Sequence, residues 1–230
     1  EAEVVLAGGM ESMSQAPHVI RGARWGLRLG EGKLEDSLMV ALLDTHCGCY
    51  MAVTAENLAR KYSISREEQD QFALRSQKSA TAAAEAGKFK DEITPVEIKS
   101  RKGVELFERD DHVRPDTTME GLAKLKPAFS KEGFVTAGNA SGIVDGGAAV
   151  VVTTAERART KPLGRIVSWG ITGVDPTIMG IGPVPAIKMA LARAQLKLSD
   201  LDLIEINEAF AAQYLACERA LELDRDKVNV

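Results

Sequence analysis

Asn207-Glu-Ala-Phe210 is the stretch of this sequence best placed to do chemistry. It follows the apolar run Leu201–Ile206 directly and opens a helical pattern over Glu208–Leu221, so Asn207 and Glu208 fall at the carboxyl end of a strand, where open α/β sheets hold ligands. The competing reading makes Asn207 an ordinary helix N-cap. Thr136-Ala-Gly-Asn-Ala-Ser-Gly142 surrounds Asn139 and Ser141 with small residues, which lets a ligand chain lie close to the backbone, although most such loops are turns. Met179-Gly-Ile-Gly-Pro-Val-Pro185 sets glycines beside a helix start, with Pro185 suited to the first turn. Its spacing is not that of a dinucleotide fingerprint, and no nicotinamide cofactor is expected. His46-Cys-Gly-Cys49 has the form of a metal half-site, but no second cluster supplies the remaining ligands. His18 and His112 have no nearby serine or cysteine in an activation motif and read as surface or loop histidines. Cys217 has apolar neighbours on a helix, which favours core packing.

The elements that must position these residues follow from periodicity. Val4–Ala7 is an apolar run closed by Gly8-Gly9, and Ala148–Thr153 is a continuous apolar run; both are expected to be buried strands, as are Arg165–Ile171 and Leu201–Ile206. Between Ala16 and Gly32, glycines alternate with arginines without a sustained period, so the stretch reads as a solvated or contact loop. Helical signals dominate from Lys33 to Gly87. The clearest is Ser65-Arg-Glu-Glu68, a capping box for a helix that runs to Ala86 and stops at Gly87. Ile93–Ile98 reads as an edge strand because of Pro95, Lys99–Pro115 as charged and turn-rich, and Thr153 with Glu156 as a second capping box. From Gly164 onward, strand and helix patterns alternate, with Pro185–Gln195 as one helix, which is α/β grammar.

Composition narrows the function classes. The 230 residues are 45% hydrophobic and 27% charged with a net charge of −4, so the chain can build ordinary cores and has neither a nucleic-acid footprint nor a basic membrane patch. Three cysteines do not make a disulfide framework at this length, which points to a reducing compartment. No run of 18 apolar residues suggests a membrane span, and no signal architecture opens the chain. Glu1-Ala-Glu-Val-Val-Leu reads as a strand entered partway and Lys227-Val-Asn-Val230 as the start of a strand or loop, so both ends are expected to be cut.

Five motifs in order, Val5-Leu-Ala-Gly-Gly-Met-Glu-Ser-Met-Ser14, Met51-Ala-Val-Thr-Ala-Glu-Asn57, Thr136–Gly142, Met179–Ala186 and Asn207–Phe210, resemble those of the thiolase family over nearly the whole chain. Lys33-Leu-Glu-Asp-Ser37 and Tyr50-Met-Ala52 are more similar to the mitochondrial-type 3-ketoacyl-CoA thiolases than to the short-chain biosynthetic branch. The resemblance implies an α/β fold, the thiolase-like layered αβαβα arrangement, incomplete, with a mostly helical inserted loop domain. It assigns 1–15 and 142–163 to the N-terminal thiolase domain, 16–141 to the inserted CoA-binding and tetramerisation domain, and 164–230 to the start of the C-terminal domain.

By the same resemblance, Asn207 holds a water that stabilises a thioester oxygen, and Phe210 lines that pocket. Ala137, Gly138 and Ser141 lie along the pantetheine arm of CoA, Met179 lies near the acyl group, and Leu42, Met51, Arg114 and Phe129 contribute to the CoA surface, with Arg114 suited to a phosphate. The implied reaction is acyl transfer between CoA and 3-ketoacyl-CoA, with CoA thioesters as substrates and no separate cofactor or metal. Thiolases use two cysteines and a histidine. Their Cys-Gly-Ser-Gly-like and Gly-His-Pro motifs do not occur in this chain, nor does the second cysteine motif, so the chain by itself is expected to be inactive. The alternatives are a noncatalytic CoA-binding or interaction protein derived from a truncated thiolase, and a related condensing enzyme, which would ordinarily have a catalytic His motif where Asn207–Phe210 stands. The resemblance further implies a homodimeric or homotetrameric parent located in the mitochondrial matrix or a bacterial cytoplasm.

Overall fold

The computed structural model describes residues 2–30 and 32–230; the strand reading at Glu1 and the loop reading at Glu31 lie outside the described residues. In chain order the elements are β1 (Val4–Ser12), β2 (His18–Ile20), β3 (Leu34–Asp36), α1 (Ser37–Ala41), β4 (Leu43–Asp44), β5 (Cys49–Tyr50), α2 (Met51–Lys61), α3 (Arg66–Glu85), β6 (Val96–Ser100), β7 (Gly103–Phe107), α4 (Met119–Ala123), β8 (Asp145–Thr153), α5 (Pro183–Ala194) and α6 (Ala211–Leu221). They pack as two compact units, one formed by Glu1–Thr54 with Ile143–Asp200 and the other by Ala55–Gly142 with Leu201–Val230.

In the first unit, β1 and β8 pair antiparallel, from Val4 opposite Thr153 to Ser12 opposite Asp145. Asp145 closes the end of this ladder: its Oδ1 accepts from the Ser14 amide at 2.9 Å and its Oδ2 from the Ser14 hydroxyl, bonds that hold its pKa below the ordinary value. Both strands form where the apolar runs lie, but they are not buried. Leu6 is 75% and Val151 66% exposed, because a two-stranded ladder leaves both faces open and no described residue covers them. Among the described residues Arg165–Ile171 likewise joins no ladder, and it is largely exposed. Instead it leans on α5. The Ser168 hydroxyl donates to Ala190 O at 2.7 Å, and a Cβ on Gly170 would stand 2.2 Å from Ala186 O.

The glycine-rich stretch after Ala16 is more ordered than a solvated loop. β2 pairs with β3, and Arg21 meets Glu35 at 2.7 Å, which lowers the Glu35 pKa. The second capping box does not form: Thr154 precedes a short 3-10 turn at Ala155–Arg157, and the Thr153 hydroxyl donates to Glu3 O at 3.0 Å. α5 starts with Pro183 at its first position, two residues earlier than expected.

The second unit holds most of the core. Ser65 Oγ accepts from the Glu68 amide at 3.1 Å and Glu68 Oε2 from the Ser65 amide at 2.8 Å, so the capping box starts α3 as the sequence predicts. The same bond to the Ser65 amide is the main cause of the lowered Glu68 pKa. After Ala86 the chain leaves the helix through Gly87 at φ +70°. α6 is buried almost all round, through Ala212, Tyr214, Leu215, Ala216 and Cys217, and the Tyr214 ring stacks on Phe72 of α3 at 4.2 Å between centroids. α6 begins at Ala211 rather than Glu208, because Phe210 is still extended at φ −146°. The predicted strand Leu201–Ile206 reduces to one parallel bridge, Ile204 to Val228, since the backbone of 227–229 is its only ladder partner among the described residues. The edge strand expected at Ile93–Ile98 forms as β6, beginning after Pro95, whereas the stretch expected as charged turns supplies its partner β7, entered through Gly103 at φ +126°.

Candidate functional site

The loop Thr136–Gly142 is held from beneath by buried polar groups. Asn139 is 4% exposed; its Oδ1 accepts from the Thr136 amide at 2.8 Å, and its Nδ2 donates to Asp70 Oδ1 and to Phe134 O, each at 3.0 Å. Asp70 is itself paired with Arg66 at 2.8 Å on the same face of α3. On the preceding helix, Glu56 of α2 is 1% exposed and accepts from the amides of Phe134 at 2.8 and 2.9 Å and Val135 at 2.9 Å. Gly138 is required by close packing, since a Cβ there would come within 2.5 Å of Leu122 and 2.6 Å of Leu125. A loop in which every buried polar group is engaged keeps one conformation.

This loop is joined directly to the Asn207–Phe210 segment. The Ser141 amide and hydroxyl both donate to Ala209 O, at 3.0 and 3.1 Å, and the Ala211 amide donates to Asn139 O at 2.9 Å around an antiparallel bridge between Ala140 and Phe210. Asn207 is exposed and does not cap α6, which rules out the N-cap reading of this residue. Its neighbour Glu208 accepts from the Ser76 hydroxyl and from Asn229 Nδ2 at 2.8 Å.

A cleft of ≈ 190 Å³ opens beside the join, walled by Ser76 and Gln77 of α3, His112, Gly138, Ser141 and Glu208. His112 is an exposed loop histidine, as expected, and its ring stands over Gly142, where a Cβ would lie 2.0 Å from its Cε1. Ser76 and Gln77 went unnoticed in the sequence, yet they share a helical face with Phe72 and Ala73, both buried, and that spacing was the available signal.

The remaining predicted residues are distributed as follows. In the second unit, Ala137 is exposed beside Gly138, Phe129 is 44% exposed, and exposed Arg114 has its amide held by Gln77 Oε1 at 2.8 Å. In the first unit, the Met51 amide donates to Leu42 O at 3.3 Å, bringing those two residues together, while Met179 lies in a 3-10 turn at Pro176–Ile181. Two of the three cysteines are poorly disposed for nucleophilic work. Burial pushes the Cys217 thiol up to about 11, and the hydrogen bond with Cys47 raises Cys49. No group of three His, Cys, Asp or Glu residues suited to a metal ion gathers among the described residues. No helix among them is long and apolar enough to cross a membrane.

Comparison with known proteins gives two family matches: the N-terminal domain of thiolase over residues 1–156 and the C-terminal domain of thiolase over 160–230. The chain is 56% identical over 234 residues to the mitochondrial 3-ketoacyl-CoA thiolase of Homo sapiens, covering 100% of this chain and 59% of that one. It is 54% identical over 235 residues to the acetyl-CoA acetyltransferase of Pseudomonas aeruginosa, covering 100% and 60%. The crystal structure of human mitochondrial 3-ketoacyl-CoA thiolase in complex with CoA superposes with a TM-score of 0.95 at 55% identity, over 100% of this chain and 58% of that chain. The chain thus spans about three-fifths of the length of the relatives it matches. With two consecutive domain matches that leave only a short gap, and a backbone that follows a solved thiolase from end to end, this chain belongs to the thiolase family and has the thiolase α/β fold.

Proposed function

We propose that this chain is the CoA-thioester-binding part of an acyltransferase that moves an acyl group between CoA and 3-ketoacyl-CoA. The observation that carries the reading is the join of two motifs 68 residues apart, Ser141 to Ala209, which leaves Asn207 exposed and without a capping duty. In this reading Ala137, Gly138 and Ser141 take the pantetheine arm, which needs a backbone that can be approached closely. Leu42, Met51, Phe129 and Arg114 carry the rest of CoA, with the Arg114 guanidinium on a phosphate. Phe210 lines the pocket of Asn207, and Met179 has the role of an acyl-group contact. The Asn207 amide holds a water that donates to the thioester oxygen as it gains charge, and removing a pre-set donor of this kind costs roughly 10²–10³ in kcat.

The stretch 16–141 acts as the inserted domain, with 1–15 and 142–163 in the N-terminal sheet domain and 164–230 in the C-terminal one. The complete protein associates as a dimer or tetramer through the 16–32 region, a role supported by Trp25 and Leu29, which are 87% and 107% exposed. Light scattering that finds only monomer would remove this part of the reading.

The chemical test has two arms. Given acetoacetyl-CoA and CoA, the 230-residue chain binds CoA but forms no acetyl-CoA, because the Cys-Gly-Ser-Gly-like, Gly-His-Pro and second cysteine motifs that carry the covalent chemistry do not occur in it. The protein made from the complete coding sequence turns over, and Asn207→Ala lowers its kcat with little change in CoA affinity. Normal turnover in that variant would sink the role of Asn207, and acetyl-CoA formation by the 230-residue chain would mean that one of its cysteines is the nucleophile.

A further inference from the structure

The backbone on either side of Asn207 is held by one side chain from near the end of the chain. Asn229 sits at φ +50°, a left-handed conformation uncommon outside glycine, and from there its amide faces the 204–208 segment. Its Oδ1 accepts from the Ile206 amide at 2.9 Å, and its Nδ2 donates to Ile206 O at 2.8 Å and to Glu208 Oε1 at 2.8 Å. The Asn229 amide thus replaces the ladder partner that a neighbouring strand would provide. Its own backbone amide donates to Ile204 O at 3.0 Å. The other oxygen of Glu208 accepts from Ser76 on α3, so the residues immediately before and after Asn207 are both clamped, one through its backbone and the other through its carboxylate.

We propose that Asn229 and Glu208 are positioning residues for Asn207: together they fix where its amide points, and they do so without touching the thioester. The inference rests on the reading of Asn207 as the oxyanion residue. Side-chain hydrogen bonds are short levers, and a displacement of about 1 Å at an oriented group is enough to cost on the order of 10²-fold in rate. Glycine tolerates the left-handed backbone at 229 but has no side-chain amide, so Asn229→Gly removes the side-chain clamp without introducing backbone strain. Ser76→Ala loosens only the Glu208 end and leaves Asn229 in place.

The experiment measures kcat and KM for thiolysis of acetoacetyl-CoA by the protein from the complete coding sequence, as Asn229→Gly, Ser76→Ala, Asn207→Ala and the two doubles with Asn207→Ala. The expected result is a kcat about 10-fold to 100-fold lower for Asn229→Gly, a smaller fall for Ser76→Ala, KM nearly constant, and neither change having a further effect once Asn207 is alanine. Equal losses in both backgrounds would make the clamp merely structural and overturn the proposal, as would a normal kcat in both single variants. A silent Asn207→Ala defeats the oxyanion reading itself, a result separable from failure of the clamp. If Asn229→Gly does not fold, as judged by its circular dichroism, Ser76→Ala and its double carry the same test alone.

Discussion

Replacing Glu56 by alanine should be the most damaging single change beneath the candidate site that leaves the cleft lining untouched. The carboxylate is 1% exposed and is the acceptor for two amides, those of Phe134 and Val135, the second of them fully buried. Hydrogen bonds to a charged group contribute about 1.5–3 kcal/mol each, so losing both, offset by relief from burying the charge, leaves a net cost of about 3–5 kcal/mol. Arg60, 3.8 Å away and half exposed, adds little. For a chain of this length each kcal/mol lowers Tm by roughly 2–4 °C, so Glu56→Ala should melt about 6–20 °C below the parent. Glu56→Gln keeps one acceptor oxygen and should lose about half as much. Gly133→Ala is an independent route to the same contact, because its new Cβ would stand 2.3 Å from Glu56 Oε1 and push the carboxylate off its amides. In the Glu56→Ala background that clash is gone, so the two changes together should cost less than their sum. Thermal unfolding followed by circular dichroism reads all four variants. A Glu56→Ala protein that melts within about 2 °C of the parent would show that the three contacts carry no net stability and would refute the reasoning.

Cys217 should resist iodoacetamide in the native state at mildly alkaline pH and react only after unfolding, since burial raises its thiol to about 11; mass spectrometry showing it alkylated as fast as Cys47 would contradict this. Tyr214 should ionise late, because burial first and the Glu218 charge second raise its pKa from 10.0 to about 12. The folded state therefore keeps this proton when the unfolded state has lost it, so stability present below pH 10.0 should fall as pH rises through about 12. A phenolate absorbance that titrates in full near 10.0 before the fold is lost would count against the burial assigned to Tyr214.

The sequence was most legible where a local rule had few competitors. Ser65 with Glu68 at one end, and Gly87 just past the other, announce α3 because each satisfies a backbone requirement within one turn. The valines of β8 were half legible: a β-branched run records that the residues extend, but their burial depends on what lies against the sheet, and here nothing described does. Arg165–Ile171 has strand composition without a strand partner, and a ladder is a property of two segments. Glu56 could have been found. It falls between Ala52, Ala55 and Ala59 on the buried stripe of α2, and a carboxylate on such a stripe requires buried donors. Nothing in the spacing of the sequence announces that Asn229 would substitute for a strand, because its partners are fixed by the fold and not by its neighbours in the chain.

The long reach of these contacts also sets a timetable. Asn139 meets Asp70 across 69 residues, Ser141 meets Ala209 across 68, and Ser76 meets Glu208 across 132. A ribosome delivers these partners in order, so α2 and α3 leave it long before the segment that completes the site. α3 brings its own start signal and can form early, but its cleft face waits for α6 and then for Asn229. During that interval Phe72 has no Tyr214 to cover it, and the nascent chain presents an aromatic, alanine-rich helix face to solvent. Slow codons placed between the stretches encoding α3 and α6 would lengthen that exposure, and a chaperone that binds apolar helices would find its target there.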